Sequence, residues 1–335
     1  MSRVRVLVTV PRPLLEEISR PRDLERLEEF TDVTYNETGR NLREEELAEL
    51  IEEFDACVTS WGSPRFTEKV LEKANRLRII GHAAGSVKPY VTDEVFKRGI
   101  VVVNAAAAIA SGVAEFTLAM ILNCLRGIPD LVAAMRRGDW SYRRKGRLTR
   151  DLRGKRVGLI GFGLVARELA KLLKPFNVKI LVYDPYISRS IAGIYNVELV
   201  DLDTLLETCD VVSIHAALTE ETRGMIGERE LKMMRRDAYL VNTARGPIVD
   251  EDALIRALRE GWIAGAALDV FEQEPLPRDH PLRELGNAYL TPHVAGPSDE
   301  GRRKLLGVIV EELQRFFSGK ELRYKVEPEE LRVRA

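Results

Sequence analysis

The stretch VGLIGFGLVARELA, residues 157–170, determines how the rest of the chain is interpreted. An apolar run typical of a buried strand ends at GFG, residues 161–163, and apolar residues with helical spacing follow at once. A strand, a glycine-rich turn and a helix in this order predict a dinucleotide cradle, with helix N-terminal amides facing a pyrophosphate. Ala166 occupies the position of the third glycine and is its smallest substitute. The alternative is an ordinary strand–helix turn that binds no nucleotide.

The next strand supplies the second part of the cofactor signal. Asp184 ends the run KILVYD, 23 residues after Gly161. A carboxylate at this place can accept a hydrogen bond from a ribose 2′-hydroxyl and would repel a 2′-phosphate. Proline and tyrosine follow it, so no arginine adjoins it to bind that phosphate. The sequence therefore predicts NAD as the cofactor in preference to NADP.

Strand and helix patterns alternate on both sides of this stretch, which predicts parallel sheets covered by helices. Before it, strands are predicted at 4–10, 55–60, 77–81 and 100–104, with helical patterns at 42–54 and 67–74. A long helical segment at 111–138 precedes six further strands. The last helical pattern, 298–319, has no strand behind it and is expected to pack on the first domain. We predict a Rossmann NAD-binding domain, 104–298, inserted in a flavodoxin-like substrate domain formed by 1–103 and 299–335.

The composition fits a two-domain globular protein. Of 335 residues, 45% are hydrophobic and 31% charged, and the formal net charge is -1. This charge gives no overall attraction to nucleic acid or to a membrane surface. The apolar run that begins at residue 113 is shorter than the ~20 residues that span a bilayer, and no secretion signal is recognised. Cys57, Cys124 and Cys209 show no paired spacing, so we expect no disulfide, no metal site and a cytoplasmic location.

Polar residues follow three of the later strands, at the sheet edge where parallel strands place ligands. The segments are VNTARGPIVDEDAL (241–254), AALDVFEQEP (266–275) and TPHVAG (291–296). In these motifs, and in 215–234 and 113–128, the sequence resembles the D-isomer-specific 2-hydroxyacid dehydrogenases. The resemblance extends over nearly the whole chain.

The resemblance implies that Arg245 binds the substrate, that His293 is the acid/base and that Glu274 is its acidic partner. A guanidinium fork can grip the carboxylate and carbonyl of a 2-keto acid through paired hydrogen bonds. Hydride addition builds negative charge on the carbonyl oxygen, which requires a proton donor, and imidazole titrates near ~6.5. A carboxylate at the other ring nitrogen stabilises the imidazolium for reduction, and the neutral ring accepts the proton in oxidation.

The resemblance also assigns the binding residues. Asp269 is expected at the nicotinamide carboxamide, and four small or hydroxyl residues are expected to line the nicotinamide pocket. The full cofactor set is Gly161, Gly163, Leu164, Val165, Asp184, Ala216, Thr222, Thr243, Ala244, Asp269, Ala295 and Gly296. In the loop GHAAGSVKPY (81–90), the amides of Ala84, Gly85 and Ser86 are expected at the substrate carboxylate. His82 is expected to be structural, with contact to the substrate as the alternative because it adjoins this loop. His215 is expected near the cofactor as part of the scaffold, and His280 is expected to be a loop residue.

Two segments depart from the family pattern. Relatives commonly show G-x-G-x-D where this chain reads AAGSV, and a Pro-Gly turn where it reads AAAAIA (105–110). Both lie in the expected substrate and cofactor region, so the identity of the small 2-keto or 2-hydroxy acid stays open. Glyoxylate or hydroxypyruvate is the first expectation, and 3-phosphoglycerate is the second.

Other classes of function remain as alternatives. Relatives that act as NAD-sensing corepressors resemble the enzymes at the three catalytic positions. The run 143–156 contains eight Lys or Arg and one acid, but it has few aromatic residues for stacking on bases. We therefore expect no nucleic-acid or membrane partner. A homodimer is expected, with the apolar helix at 113–124 as its face.

Overall fold

The computed structural model describes residues 3–141, 149–296, 298–328 and 331. The chain divides into two compact units, unit 1 (Met1–Ile109 with Pro297–Ala335) and unit 2 (Ala110–Gly296). The basic run 143–156 falls outside the described residues as far as residue 148.

Thirteen strands and fourteen α-helices lie in the described residues. The strands are β1 (Val4–Pro11), β2 (Thr31–Asn36), β3 (Ala56–Thr59), β4 (Ile79–His82), β5 (Val101–Asn104), β6 (Arg156–Ile160), β7 (Lys179–Tyr183), β8 (Glu198–Leu199), β9 (Val211–Ile214), β10 (Tyr239–Asn242), β11 (Gly265–Leu268), β12 (Ala288–Leu290) and β13 (Lys325–Val326). The helices are α1 (Arg12–Ile18), α2 (Pro21–Phe30), α3 (Glu44–Leu50), α4 (Glu68–Lys73), α5 (Asp93–Lys97), α6 (Ala106–Arg126), α7 (Ile128–Arg136), α8 (Leu164–Leu173), α9 (Arg189–Tyr195), α10 (Leu202–Thr208), α11 (Glu228–Met233), α12 (Glu251–Glu260), α13 (Asp299–Arg302) and α14 (Leu305–Phe317).

Each unit is built on one sheet of mainly parallel strands. Unit 1 has the order β13-β5-β4-β3-β1-β2, in which only β13 is antiparallel to its neighbour. Unit 2 has the order β12-β11-β10-β9-β6-β7-β8, with every pair parallel. The first order contains the flavodoxin arrangement, and the second contains the Rossmann arrangement. The predicted fold class is confirmed.

Several elements differ from the sequence-based prediction. Helices α1 and α2 were not predicted, because each carries a proline that interrupts the apolar pattern. In the structure both prolines lie in the first turn, where the missing N–H costs nothing. The single helix expected at 111–138 is two helices, since Gly127 adopts a left-handed φ of 57° between α6 and α7. Strands β2 and β8, which lie at sheet edges, were also not predicted.

The C-terminal helix packs on unit 1, as predicted. The buried residues of α14 include Leu306, Ile309 and Leu313, which join the apolar core formed by β1, β3 and β4. Ile309 of α14 packs directly on Gly81 of β4, where an added Cβ would lie 2.4 Å from Cγ2 of Ile309. The expectation that no strand follows this helix is wrong, because β13 pairs with β5.

A buried carboxylate directs the chain from α14 into β13. Glu312 is fully buried, and its Oε2 accepts hydrogen bonds from the backbone amides of Arg323 at 2.9 Å and Tyr324 at 3.1 Å. The carbonyl of Tyr324 accepts in turn from the amide of Asn104 at the end of β5. Glu312 therefore fixes the segment that adds the edge strand.

Helix α6 is longer than the apolar run that begins at residue 113, because it starts at Ala106. With 21 residues it is long and apolar enough to cross a bilayer, contrary to the length estimate from the sequence. Half of its most apolar window is buried inside the protein. Long core helices of soluble proteins have the same length and composition, so this finding alone does not indicate a membrane protein.

We expect Glu312→Ala to lower the free energy of unfolding by about 2 kcal/mol, because it removes two charge-assisted hydrogen bonds to part-buried amides. Urea unfolding followed by circular dichroism measures this change. Glu311→Ala is the matched control: Glu311 is partly exposed and pairs with Arg323, and its removal should cost less than about 0.5 kcal/mol. Equal effects of the two substitutions would contradict the role given to Glu312.

Candidate active site

The candidate residues of unit 2 follow the carboxyl ends of its parallel strands. Strand order reverses between β6 and β9, and open parallel sheets bind ligands at such a switch point. The glycine turn follows β6, Asp184 follows β7 and Ala216 lies two residues beyond β9. The remaining candidates of this unit follow β10, β11 and β12, except Thr222 in the loop after β9.

The two glycines of the turn have different surroundings. Gly161 has a φ of 87°, and an added Cβ would lie 2.7 to 2.8 Å from the backbone of His215 and Ala216. Gly163 has an ordinary φ of -73°, is exposed, and has no atom within 4 Å of an added Cβ. Gly161 is therefore required by the fold itself, whereas Gly163 keeps open the space at the start of α8.

Asp184, which follows β7, is hydrogen-bonded to this glycine turn. Its Oδ2 accepts from the amide of Phe162 at 2.7 Å, and its Oδ1 accepts from the amide of Tyr186 at 2.8 Å. Each carboxylate oxygen has a second lone pair that can accept from a ribose hydroxyl. The turn can therefore hold NAD. The open space at Gly163 and the N-terminus of α8 fit its pyrophosphate, and Asp184 fits the ribose of its adenosine.

His293 and Glu274 form a hydrogen-bonded pair. The Nδ1 of His293 lies 2.6 Å from Oε2 of Glu274, and Oε1 of Glu274 accepts from the amide of Phe271 at 3.0 Å. Both side chains are partly exposed. Among the described residues none is hydrogen-bonded to Nε2 of His293. The ring is thus oriented at one nitrogen and available to a ligand at the other.

Asp269 holds the turn that carries His293. It is fully buried, and Oδ1 accepts from Thr291 Oγ1 at 2.6 Å and from the amide of Val294 at 3.0 Å. Its Oδ2 accepts from the amide of Ala295 at 2.8 Å. His293 has a left-handed φ of 52°, a conformation that costs a residue with a Cβ about 1 kcal/mol. The sequence-based expectation was a contact with nicotinamide, whereas here the bonds of Asp269 go to its own chain.

Arg245 is a largely buried cation at the end of β10. Its Nη1 donates to the carbonyl of Ala244 at 2.6 Å. Burial lowers the pKa of Arg245, and the negative charge of Glu274 opposes that effect. Within the described part of the chain, no carboxylate comes within 4.0 Å of the guanidinium. A desolvated guanidinium without an internal ion pair is an anion site.

Two polar residues that the sequence analysis did not use contact the loop after β10. Asn242 donates through Nδ2 to the carbonyl of Arg245 at 2.9 Å and accepts from the amide of Ala244 at 3.0 Å. An asparagine two residues before the turn is the sequence signal for this arrangement. Thr117 of α6 shares a hydrogen bond of 2.8 Å with Thr243, and no sequence pattern indicates it.

The other predicted cofactor residues lie on the same strand ends or close to them. Leu164 and Val165 open α8, Ala295 is buried and Gly296 is partly exposed. Thr222 donates to the carbonyl of Ala217 at 2.5 Å and stabilises its own loop.

The predicted substrate loop follows β4 in unit 1. Ala84 is fully buried, and its amide donates to the carbonyl of His82 at 2.8 Å, so it is not open to a ligand as expected. Gly85 and Ser86 are partly exposed, and in the residues that the structure describes neither amide donates to a backbone carbonyl.

His215 and His280 are held by contacts within the protein. Burial lowers the pKa of His215 to about 4, and its Nε2 lies 2.9 Å from Ser213 Oγ. His280 pairs with Glu251 at 3.1 Å. Across the described ranges, no group of three or more His, Cys, Asp or Glu side chains is placed to hold a metal ion.

Comparison with known proteins agrees with this site. Residues 118–295 match the family model described as D-isomer specific 2-hydroxyacid dehydrogenase, NAD binding domain. A glyoxylate reductase of Thermofilum pendens is 38% identical over 343 residues, which cover 100% of this chain and 97% of that protein. A D-3-phosphoglycerate dehydrogenase of Methanocaldococcus jannaschii is also 38% identical over 94% of this chain, but the match spans only 58% of that protein. A crystal structure of a Pyrococcus horikoshii OT3 protein superimposes with a TM-score of 0.83 and 31% identity, over 97% of this chain and 96% of that one.

The fold and the site define an NAD-dependent oxidoreductase that acts on CH–OH groups. More narrowly, the chain belongs to the D-isomer-specific 2-hydroxyacid dehydrogenase family.

We expect Gly161→Ala and Gly163→Ala to fail in different ways. Gly161→Ala should lower the melting temperature of the protein without cofactor, because the methyl group meets backbone and the φ is left-handed. Gly163→Ala should leave that temperature nearly unchanged but weaken NADH binding about tenfold or more, because the methyl group occupies the approach to the pyrophosphate. Differential scanning fluorimetry and titration calorimetry measure the two effects. Unchanged NADH affinity in Gly163→Ala would argue against the assigned cradle.

Proposed function

We propose that this protein is an NAD(H)-dependent D-2-hydroxyacid dehydrogenase that reduces glyoxylate or hydroxypyruvate reversibly. The observation that carries the proposal is the set formed by Arg245, Glu274 and His293. An unpaired, desolvated guanidinium interacts with a carboxylate that is itself hydrogen-bonded to an imidazole. A planar anion with an adjacent carbonyl is the ligand that such a set fits.

Arg245 binds the substrate carboxylate and carbonyl, and its burial makes this interaction stronger than in water. Arg245 donates to the carbonyl of Ala244 through Nη1, and its other donors are available to the substrate. The guanidinium fork fixes the orientation of the carbonyl carbon.

Bound NADH supplies the hydride that adds to this carbon. His293 donates the proton on Nε2 to the carbonyl oxygen as negative charge builds there, and the product is the 2-hydroxy acid. Glu274 holds the ring through Nδ1 and stabilises its charged form before transfer. In the reverse direction the neutral ring takes the hydroxyl proton.

The substrate choice is supported by the names of the relatives. Glyoxylate reductases of Thermofilum pendens, Korarchaeum cryptofilum and Aeropyrum pernix are 37–38% identical to this chain over at least 93% of it. 3-Phosphoglycerate remains the second candidate because the identity is the same, 38%. A non-catalytic NAD sensor is the alternative from another class.

We also propose a homodimer in the cytoplasm. The face expected at 113–124 is half buried, and its buried residues belong to the core of unit 2. The next helix, α7, exposes Ile128, Leu131, Val132 and Met135, each by 36% or more. Their spacing forms one apolar stripe, which a second copy of the chain would cover. The three cysteines are free and buried thiols, which suits a reducing compartment.

The function is tested by following NADH oxidation with glyoxylate, hydroxypyruvate, pyruvate and 3-phosphohydroxypyruvate, and by repeating the panel with NADPH. We expect the highest kcat/KM for glyoxylate or hydroxypyruvate with NADH, since Asp184 repels the 2′-phosphate of NADPH. NADH binding without oxidation of any substrate would favour the sensor instead.

We expect His293→Ala to lower kcat by about 10² to 10⁴ because the general acid is lost, with NADH affinity within about twofold. His280→Ala is the matched control, because it removes the other histidine of a His–Glu pair and should leave kcat within about twofold. Stopped-flow kinetics and NADH fluorescence separate the two quantities. Full activity in His293→Ala would reject the acid/base assignment.

The dimer proposal predicts that Leu131→Asp yields monomers, because a charge in the apolar stripe costs several kcal/mol when it is buried. Size-exclusion chromatography with light scattering measures the mass. Ile194→Asp makes the same kind of change at a side chain that is 78% exposed on α9 and should stay dimeric. A monomeric unmodified protein would end this proposal without affecting the chemistry.

A further inference from the structure

Tyr186 and Glu221 are two exposed residues of unit 2 that the mechanism above does not use. The Tyr186 hydroxyl donates to Oε2 of Glu221 at 3.1 Å. Tyr186 lies in the loop after β7, and Glu221 lies in the loop after β9. In the sheet, β7 and β9 are the two neighbours of β6. The hydrogen bond therefore joins the loops that flank the glycine turn of the candidate cofactor site.

Further contacts hold both ends of this hydrogen bond. The amide of Tyr186 donates to Oδ1 of Asp184 at 2.8 Å, which ties the tyrosine to the acid assigned to the adenosine ribose. On the other side, the amide of Thr219 donates to Oγ1 of Thr222 at 2.8 Å, and the amide of Thr222 donates to Oγ1 of Thr219 at 3.2 Å. These two bonds close the loop around Glu221. The loop therefore fixes the backbone of Glu221, and Tyr186 fixes its carboxylate.

Asp184 and Glu221 place two negative charges beside the glycine turn. The hydrogen bond to Glu221 and the charges of Glu221 and Asp184 raise the pKa of Tyr186. The phenol is therefore neutral near pH 7 and donates its proton, which leaves the charge of Glu221 in place. Within the described part of the chain, neither carboxylate forms an ion pair with a Lys, Arg or His side chain. Both negative charges are thus available to act on a ligand.

We propose that Glu221 is a specificity-determining residue for the dinucleotide, which acts with Asp184 against NADP(H), and that Tyr186 holds its carboxylate in place. NADP(H) carries a phosphate on the ribose oxygen assigned to Asp184, and a phosphate monoester has a charge of about −1.5 to −2 at pH 7. This phosphate would meet the repulsion of both carboxylates, whereas the hydroxyl of NAD(H) is uncharged. The inference rests on the assignment of the glycine turn to NAD and does not depend on the keto acid.

Glu221→Gln tests the role of the charge, because it keeps a side-chain oxygen that can accept from Tyr186. We expect Kd for NADPH to fall about fivefold, since one like-charge repulsion is lost, and Kd for NADH to stay within about twofold. Both reduced cofactors fluoresce, so titration without substrate measures both constants.

Glu220→Gln is the matched control. Glu220 is the neighbouring residue and is also exposed, and the substitution makes the same change in net charge away from the bond to Tyr186. It should leave both dissociation constants within about twofold. Equal effects of Glu221→Gln and Glu220→Gln on Kd for NADPH would overturn the proposal.

Tyr186→Phe tests the role given to the hydroxyl. The ring is kept, but the Glu221 carboxylate loses its partner and can move into solvent. We expect Kd for NADPH to fall about twofold to threefold, less than in Glu221→Gln. The double variant should bind NADPH no more tightly than Glu221→Gln alone, because both changes act through one carboxylate. Additive effects would overturn the role given to Tyr186.

Salt distinguishes charge repulsion from a steric effect. The ratio of Kd for NADPH to Kd for NADH should fall as NaCl is raised from about 0.05 M to about 0.5 M, and it should fall less in Glu221→Gln. An identical salt dependence in the two proteins would overturn the proposal. A protein that binds neither dinucleotide would reject the cradle and this proposal with it. A protein that binds NADH with the expected preference but reduces no 2-keto acid would instead reject the proposed function, so the failures are distinguishable.

Discussion

The hydrogen bonds of Asp269 are the interaction on which the candidate site depends. One buried carboxylate at the end of β11 accepts from Thr291, Val294 and Ala295, the residues that flank His293. These bonds stabilise a turn in which a histidine adopts a left-handed backbone. Strain of this kind persists only where the surrounding structure determines it. Its position at the proposed acid/base suits a residue whose ring must be held in one orientation. Removal of the carboxylate would release the whole turn.

The charged side chains of the site are only partly paired with one another in the described part of the chain. Glu274 is hydrogen-bonded to His293 and attracts Arg245, but no carboxylate lies close enough to neutralise the guanidinium among the described residues. Burial of an unpaired cation lowers the stability of the fold. A bound carboxylate would supply the missing partner, so the same feature that destabilises the empty site increases its affinity for an anion. The unpaired cation therefore lowers the stability of the empty site and raises its affinity for an anionic ligand.

Local signals in the sequence predicted most of the fold and located the glycine turn after β6. Gly161 and Asp184 could be found because a turn, a helix and a strand end are read from adjacent residues and a fixed spacing. Helix α2 was missed because Pro21 resembles a break unless the first turn is already known, and Gly127 divides a helix whose apolar pattern continues across it. The loop-holding role of Asp269 was missed because its partners lie 22 to 26 positions away, where periodicity carries no information. The roles of the catalytic residues came from a resemblance to a family.

The four histidines explain why one of them alone suits proton transfer. Burial lowers the pKa of both His82 and His215 to about 4, so both rings are neutral at physiological pH and lack the second proton that an imidazolium gives up as an acid. His280 is largely buried and tied at both ring nitrogens, to the Leu282 amide and to a carboxylate. His293 alone combines partial exposure, a carboxylate at Nδ1 and an Nε2 that no described residue occupies. Burial therefore makes two histidines unsuitable for proton transfer and internal pairing makes the third unsuitable. His293, whose backbone is strained, is the one that fits the proposed acid/base function.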